Sequence, residues 1–193
     1  MVLPGIKRNI IKTEHLDHEW EGSVVDLLDS ERVPFNERLR LVIDYELISD
    51  RLLRLFAVWC ARRVLNFCPR PVLEELLAKV EEYANEECTF EDVMVIQRKA
   101  KDSSPTGEKS VQLQEAEAAA YATVNLFAKD AAKEASFHSL IVLSYYNDRE
   151  EIQRKHFWKI QDLVLTYLTS GEVAFILRNH YPYALPDKNT SKD

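Results

Sequence analysis

The chain has 193 residues, of which 46% are apolar, 30% are charged and only 4 are glycine. This length fits one domain, and the apolar content is too high for a disordered chain and too dispersed for a membrane protein. Because glycine is scarce, tight turns, hairpins and phosphate-binding loops are disfavoured. We therefore expect an all-α fold, a compact bundle of seven or eight helices without a sheet. It should form a single domain over residues 1–186, followed by a disordered tail at 187–193.

Acidic residues outnumber basic ones by 32 to 25, which gives a formal net charge of −7. A nucleic-acid-binding protein concentrates positive charge against phosphates, so this balance disfavours a nucleic-acid partner. No apolar run approaches the roughly 20 residues that cross a bilayer. The first twelve residues lack a secretion signal, and the 3 cysteines show no paired spacing, so reduced thiols in a cytoplasmic protein are expected. A partner recognised by charge should be basic.

Apolar residues at helical spacing predict four helices in the first half of the chain. Thr89 followed by Asp92 resembles a capping box that begins the fourth of them, and Pro71 can occupy the first turn of the third. Residues 102–110 have the composition of a loop and divide the chain near its midpoint. The four predicted helices cover residues 36–48, 50–67, 71–87 and 89–101.

The second half begins with an alanine-rich helix whose apolar stripe runs from Leu113 to Ala135. Residues 136–146 fit a helix or a strand by periodicity alone, and we choose a helix because no partner strand is evident. A long helix should then extend to Thr169, with Gly171 just beyond its end. A short apolar segment at 173–177 precedes the tail.

Two opposite charges fall on the apolar faces of neighbouring predicted helices, Glu46 on the first and Arg63 on the second. Because an unpaired buried charge is costly, they predict a partly buried ion pair that fixes helix register. On this hypothesis Arg63→Met should destabilise the fold more than Arg62→Met, since Arg62 is expected to be exposed.

Two histidines, His138 and His156, also lie among apolar residues. Such residues are mostly hydrogen-bonded members of a core, although a meeting of both with Glu46 would permit acid–base chemistry. His15 and His18 lie three apart among carboxylates, but their spacing matches no zinc motif. We expect no metal and no cofactor.

No recognisable catalytic signature is present: the chain has no nucleophile elbow, no phosphate-binding loop and no catalytic cysteine pattern. The predicted helix at 71–87 instead presents a row of outward acidic residues, a solvated face or a surface for a basic protein. Tyr181 and Tyr183 could add aromatic anchors to such a surface. The outward glutamates are Glu74, Glu75, Glu81, Glu82 and Glu86.

Four segments of the chain follow one another in a distinctive order: DRLLRLFAVWCARRVL (50–65), VEEYANEECTFED (80–92), EAEAAAYA (115–122) and EIQRKHFWKIQDLV (151–164). This order resembles a loose group of small, all-helical bacterial proteins that are described as immunity proteins of polymorphic-toxin systems. The resemblance covers roughly residues 49–168. It implies a non-enzymatic cytoplasmic protein that protects its producer by binding a cognate toxin, and it supplies no catalytic positions.

The sequence therefore predicts a protein that neutralises a basic partner through an acidic helical surface. A helical scaffold or regulatory protein without a toxin partner is the second class. The third is an enzyme with a core histidine–glutamate or metal site.

Overall fold

The computed structural model describes residues 9–11, 20–22, 24–30 and 33–166 of the chain. Within them the chain forms a bundle of eight α-helices, which confirms the all-α fold class. A short 3₁₀ helix, Leu65–Phe67, follows the third of these helices. The α-helices are α1 (Val24–Leu28), α2 (Phe35–Asp44), α3 (Asp50–Arg62), α4 (Pro71–Ala84), α5 (Phe90–Asp102), α6 (Val111–Ala122), α7 (Ala128–Ser144) and α8 (Arg149–Thr166).

Two short strands precede the bundle. β1 (Asn9–Ile11) and β2 (Trp20–Gly22) pair in antiparallel fashion, with Ile10 opposite Glu21 at the centre of the pair. The expected absence of a sheet therefore applies to the helical bundle and not to this N-terminal pair. Three residues are too few for an alternating apolar pattern to indicate a strand in the sequence.

Three predicted helices end earlier than expected. The helix predicted over 50–67 ends at Arg62, and a 3₁₀ helix follows at Leu65–Phe67. The other two end early because left-handed residues stop them. The backbone φ angles of Glu46 and Glu86 are 50° and 63°. At each position the following amide donates to a carbonyl five residues earlier, Leu47 to Val42 at 3.0 Å and Glu87 to Glu82 at 2.8 Å. This is the Schellman arrangement, and it ends α2 and α4 at Asp44 and Ala84 rather than at 48 and 87.

The start of α5 is the predicted capping box. The Thr89 amide donates to Asp92 Oδ2 at 2.9 Å, and the Asp92 amide donates to Thr89 Oγ1 at 3.3 Å. Two amides at the start of the helix that lack carbonyl partners within it are thereby satisfied. The predicted loop at 102–110 lies between the end of α5 and the start of α6.

The apolar stripe predicted as one alanine-rich helix is divided between α6 and α7. The buried guanidinium of Arg54, on α3, donates to the carbonyls of Asn125 and Leu126 at 2.9 and 2.7 Å. These bonds satisfy backbone groups that a helix would otherwise use, so they stabilise the break at 123–127. The segment 136–146, predicted as a separate element, is largely part of α7.

The core is built around α3 and α7, and Phe56 at its centre is completely buried. One apolar cluster joins α3 to α2, α8 and the start of α7, and a second joins it to α4, α5 and α6. Alanines on α7 face the first cluster, and their small side chains allow close approach of the helix axes. The expected domain end at 186, the tail at 187–193 and the apolar segment at 173–177 lie outside the described residues.

Candidate functional site

The acidic face predicted on α4 is partly neutralised by cations from neighbouring helices. Arg62, at the end of α3, donates from Nε to Glu74 Oε1 at 3.1 Å and from Nη1 to Glu81 Oε1 at 2.6 Å. One guanidinium therefore joins α3 to two glutamates that lie seven residues, or about two turns, apart on α4. Arg62, which was expected to be exposed, is half-buried between these two carboxylates.

Two more of the predicted glutamates have cationic partners. Lys99 of α5 lies 2.6 Å from Glu75, and Lys79 bonds to Glu82 on the same helix. These carboxylates remain substantially accessible to solvent, so each can still exchange its partner. Among the five predicted glutamates, Glu86 differs because the described part of the chain gives it no ion pair.

Unneutralised negative charge is concentrated at the turn between α4 and α5. We call Glu86, Glu87, Glu91 and Asp92 the acidic turn. The first three are exposed and form no ion pair within the described residues. Asp92 accepts hydrogen bonds from the Thr89 amide and hydroxyl, which lower the pKa of its carboxyl. Of the five glutamates predicted from periodicity, only Glu86 belongs to the acidic turn.

Side-chain contacts join the acidic turn to the helices around it. The rings of Tyr83 and Phe90, one on each helix, lie 5.5 Å apart. The Arg54 guanidinium lies 5.1 Å from the Tyr83 ring centroid. Arg51 donates to the Asn85 side chain at 2.7 and 3.1 Å, which ties the turn to α3. These contacts connect the backbone of the turn to α3 and join the two helices on either side of it.

The predicted ion pair between Glu46 and Arg63 does not form. The Glu46 side chain is 53% exposed and lies 3.7 Å from Lys129, because Glu46 follows the end of α2 rather than lying on its apolar face. The Arg63 guanidinium lies 4.8 Å from the centroid of the Trp59 ring, and its buried Nη1 has no hydrogen-bond partner. Arg63 therefore makes a cation–π contact with Trp59 instead of an ion pair with Glu46.

His156 is buried in the core, with 2% of its surface exposed. Its Nε2 lies 3.4 Å from Ser139 Oγ, and its ring meets those of Phe56 and Trp59 edge-on. Burial, with a contribution from the nearby Arg63 charge, lowers the pKa of His156 to about 3. The imidazole is therefore neutral at pH 7, as expected of a packed core residue.

His138 occupies a different environment. Its Nδ1 lies 2.6 Å from Glu115 Oε2, and the pair links α7 to α6 near the surface. His138 and His156 therefore have separate partners, and Glu46 meets neither of them. The acid–base arrangement considered from the sequence is not assembled.

A charged cluster that sequence reasoning missed lies between α6 and the loop before it. Glu117 bonds to the Arg70 guanidinium, to Lys109 Nζ at 2.5 Å and to Ser104 Oγ at 2.8 Å. Burial alone would raise the pKa of the Glu117 carboxyl, but hydrogen bonds from Lys109 and Ser104 outweigh burial and lower it. Arg70 also donates to the Ala100 carbonyl, so the cluster anchors the loop at 103–110.

Cys60 and Cys68 are buried and Cys88 is half-buried, and all three are free thiols. Burial raises the pKa of each thiol. Within the described ranges, no group of three or more histidine, cysteine, aspartate or glutamate side chains could hold a metal ion. His15, His18, Tyr181 and Tyr183 lie outside those ranges. None of the described helices is long and apolar enough to span a membrane.

Comparisons with family models, curated proteins and solved structures found no match to this chain. The fold and the site together define an all-helical bundle with an acidic surface on α4 and at the turn that follows it.

Proposed function

We propose that this protein acts by binding a basic partner protein through the acidic surface of α4 and the acidic turn. The observation that supports this proposal is that Glu86, Glu87 and Glu91 are exposed and have no cationic partner among the residues that the structure describes. A basic partner would supply the missing positive charge. The resemblance to immunity proteins makes a cognate toxin the expected partner, and occlusion of its active surface the expected mode of neutralisation.

The negative charge of this surface would favour association with a basic partner. Charged groups on a surface steer a partner of opposite charge and raise the association rate by 10-fold or more at low salt. The net charge of −7 repels other acidic proteins, which adds selectivity. A partner cation that binds Glu74 or Glu81 competes with Arg62, so the acidic turn is the favoured first contact.

A cytoplasmic location is part of this proposal. It is supported by three free thiols, of which two are buried, since free cysteines persist in a reducing compartment. Tyr181 and Tyr183 remain predicted aromatic contacts to the partner.

The proposal is tested by capturing the partner from the producing bacterium with tagged protein, followed by binding kinetics at several salt concentrations. We expect a basic protein whose gene is adjacent to that of the bait. Reversal of Glu86, Glu87 and Glu91 to lysine should slow association at least about 10-fold at low salt and reduce its salt dependence.

A control for net charge reverses three exposed acids elsewhere, Glu108, Glu150 and Asp162, and so changes the net charge equally. Glu150 and Asp162 are paired with Arg154 and Lys159, so this control tests overall charge alone. Association should then slow much less than in the acidic-turn variant. Equal slowing by both variants would assign the effect to net charge alone and contradict the surface assignment. A captured partner encoded away from the bait gene would instead favour a scaffold or regulatory role.

A further inference from the structure

A groove between α2, α7 and α8 is separate from the acidic surface. It encloses about 430 Å³, which lies within the range of small-molecule pockets, roughly 300 to 1,000 Å³. Its walls are mainly apolar, with Leu39 and Ile43 on α2 and Phe137 and Leu140 on α7. The Phe137 ring is 56% exposed at the mouth, although its helix is otherwise packed into the core.

The four charged side chains that line this groove are two anions and two cations, Asp44, Glu134, Arg40 and Lys133, so the groove has no net charge. Asp44 lies 3.0 Å from Arg40 and 2.8 Å from Lys133, but its buried Oδ1 accepts no hydrogen bond. Glu134 accepts a hydrogen bond from Asn125 Nδ2 at 2.7 Å and forms no ion pair within the described residues. An ion of either sign would therefore meet a like charge in the groove, whereas an uncharged ligand would not.

One end of the groove is bridged by ion pairs. Lys133 and Lys129 of α7 lie 2.8 Å from Asp44 and 3.7 Å from Glu46, respectively, at the end of α2. These bridges hold the two helices together there. A partner helix or an extended chain running through the groove would have to break them. The arrangement therefore favours a compact ligand.

The floor of the groove includes His156. Its imidazole is neutral at pH 7 and only 2% of its surface is exposed, so it adds no charge to the groove. The groove atom that can accept a hydrogen bond from a ligand is Asp44 Oδ1, which is buried and has no hydrogen-bond partner. Burying apolar surface against Ile43, Phe137 and Leu140 would supply the main driving force for binding.

From this geometry we propose that the groove between α2, α7 and α8 binds a small, uncharged, mainly apolar molecule with one hydrogen-bonding group, such as a medium-chain alcohol. The inference is independent of the proposed function, because the groove shares no residue with α4 or the acidic turn.

The test uses the full chain and the uncharged fluorescent dye Nile red. We expect saturable binding with one dye per chain. 1-Octanol should displace the dye at a concentration at least about 10-fold lower than octanoate or octylammonium does, because a groove without net charge does not offset the cost of removing either ion from water.

Two exposed phenylalanines give a matched pair of variants. Phe137→Ala removes part of the groove wall and should weaken dye binding at least about 5-fold. Phe127 lies in the α6–α7 connection and is 67% exposed, so Phe127→Ala should leave dye binding unchanged. Circular dichroism should show that both variants fold. Equal effects of the two variants, equal displacement by octanol and octanoate, or absence of saturable binding would overturn the proposal. So would dye binding that dissociates a dimer, which would identify a second copy as the occupant.

Discussion

The Lys109 ammonium lies 2.5 Å from Glu117 Oε2, so a buried carboxylate of α6 is joined to the loop that precedes the helix. We expect Glu117→Gln to lower the free energy of unfolding by about 2 to 3 kcal/mol, because it leaves Arg70 and Lys109 without a counter-charge. Urea denaturation followed by circular dichroism measures this change.

Glu108→Gln is the matched control for Glu117, since it removes an exposed carboxylate from the same loop and should change stability by less than about 0.5 kcal/mol. The pKa of Glu117 is lowered in the folded protein, so its stabilisation is present above the unfolded pKa of about 4.3. The advantage of the wild type over Glu117→Gln should therefore shrink as the pH falls below that value. An unchanged advantage at pH 3 would contradict this account.

His156 should make the fold sensitive to mild acid. Its pKa is about 3 in the folded chain, against about 6.5 when unfolded, so between these values the unfolded state binds more protons. The stabilisation is complete above pH 6.5 and is lost as the pH falls, at up to about 1.4 kcal/mol per pH unit. His156→Gln should show a shallower decline in unfolding free energy between pH 6 and 4 than the wild type does.

His138→Gln provides the comparison for His156. His138 pairs with Glu115 near the surface, and its replacement leaves His156 in the core. The steep decline of stability between pH 6 and 4 should therefore persist in this variant. If His156→Gln declined as steeply as the wild type, the buried neutral imidazole would not be the cause.

Arg62 and Arg63 should respond to substitution in the opposite order to that expected from the sequence. Arg62→Met removes two partly exposed ion pairs with α4 and should cost about 1 kcal/mol. Arg63→Met removes a guanidinium nitrogen without a hydrogen bond, while methionine still packs on Trp59, so stability should change by less than about 0.5 kcal/mol. Thermal unfolding of both variants decides the order, and a larger loss for Arg63→Met would restore the earlier hypothesis.

The fold class could be predicted because it depends on features that act locally. Scarce glycine, helical apolar spacing and the Thr89 capping box are all visible within a few residues of sequence. The break between α6 and α7 could not be predicted, because it is stabilised by Arg54, which lies more than seventy residues earlier in the chain. The sequence around residue 125 contains no feature that predicts a contact with Arg54.

The candidate site could be predicted only in part, because some of its features depend on local sequence and others on contacts between distant helices. The outward direction of the α4 glutamates follows from periodicity, but their pairing with Arg62 and Lys99 depends on how α3 and α5 pack against α4. Glu117 was missed because it lies within an alanine-rich stripe, and its partners come from a loop and from the segment before α4.

Replacement of the two left-handed glutamates by glycine should stabilise the fold. Glu46 and Glu86 have φ angles of 50° and 63°, a conformation that costs a residue with a Cβ about 1 to 2 kcal/mol. Glycine avoids this cost but adds entropy to the unfolded chain, so we expect a net gain of about 0.5 kcal/mol for each variant in urea denaturation. Alanine at either position keeps the Cβ and should give no gain.

The same substitution separates stability from function at Glu86. Glu86→Gly should raise the free energy of unfolding and yet slow association with the basic partner, because a carboxylate of the acidic turn is lost. Glu46→Gly should raise stability without slowing association, since Glu46 lies at the end of α2 and outside the acidic turn. A Glu86→Gly protein that is more stable and binds its partner at the wild-type rate would show that the charge at this position has no part in recognition.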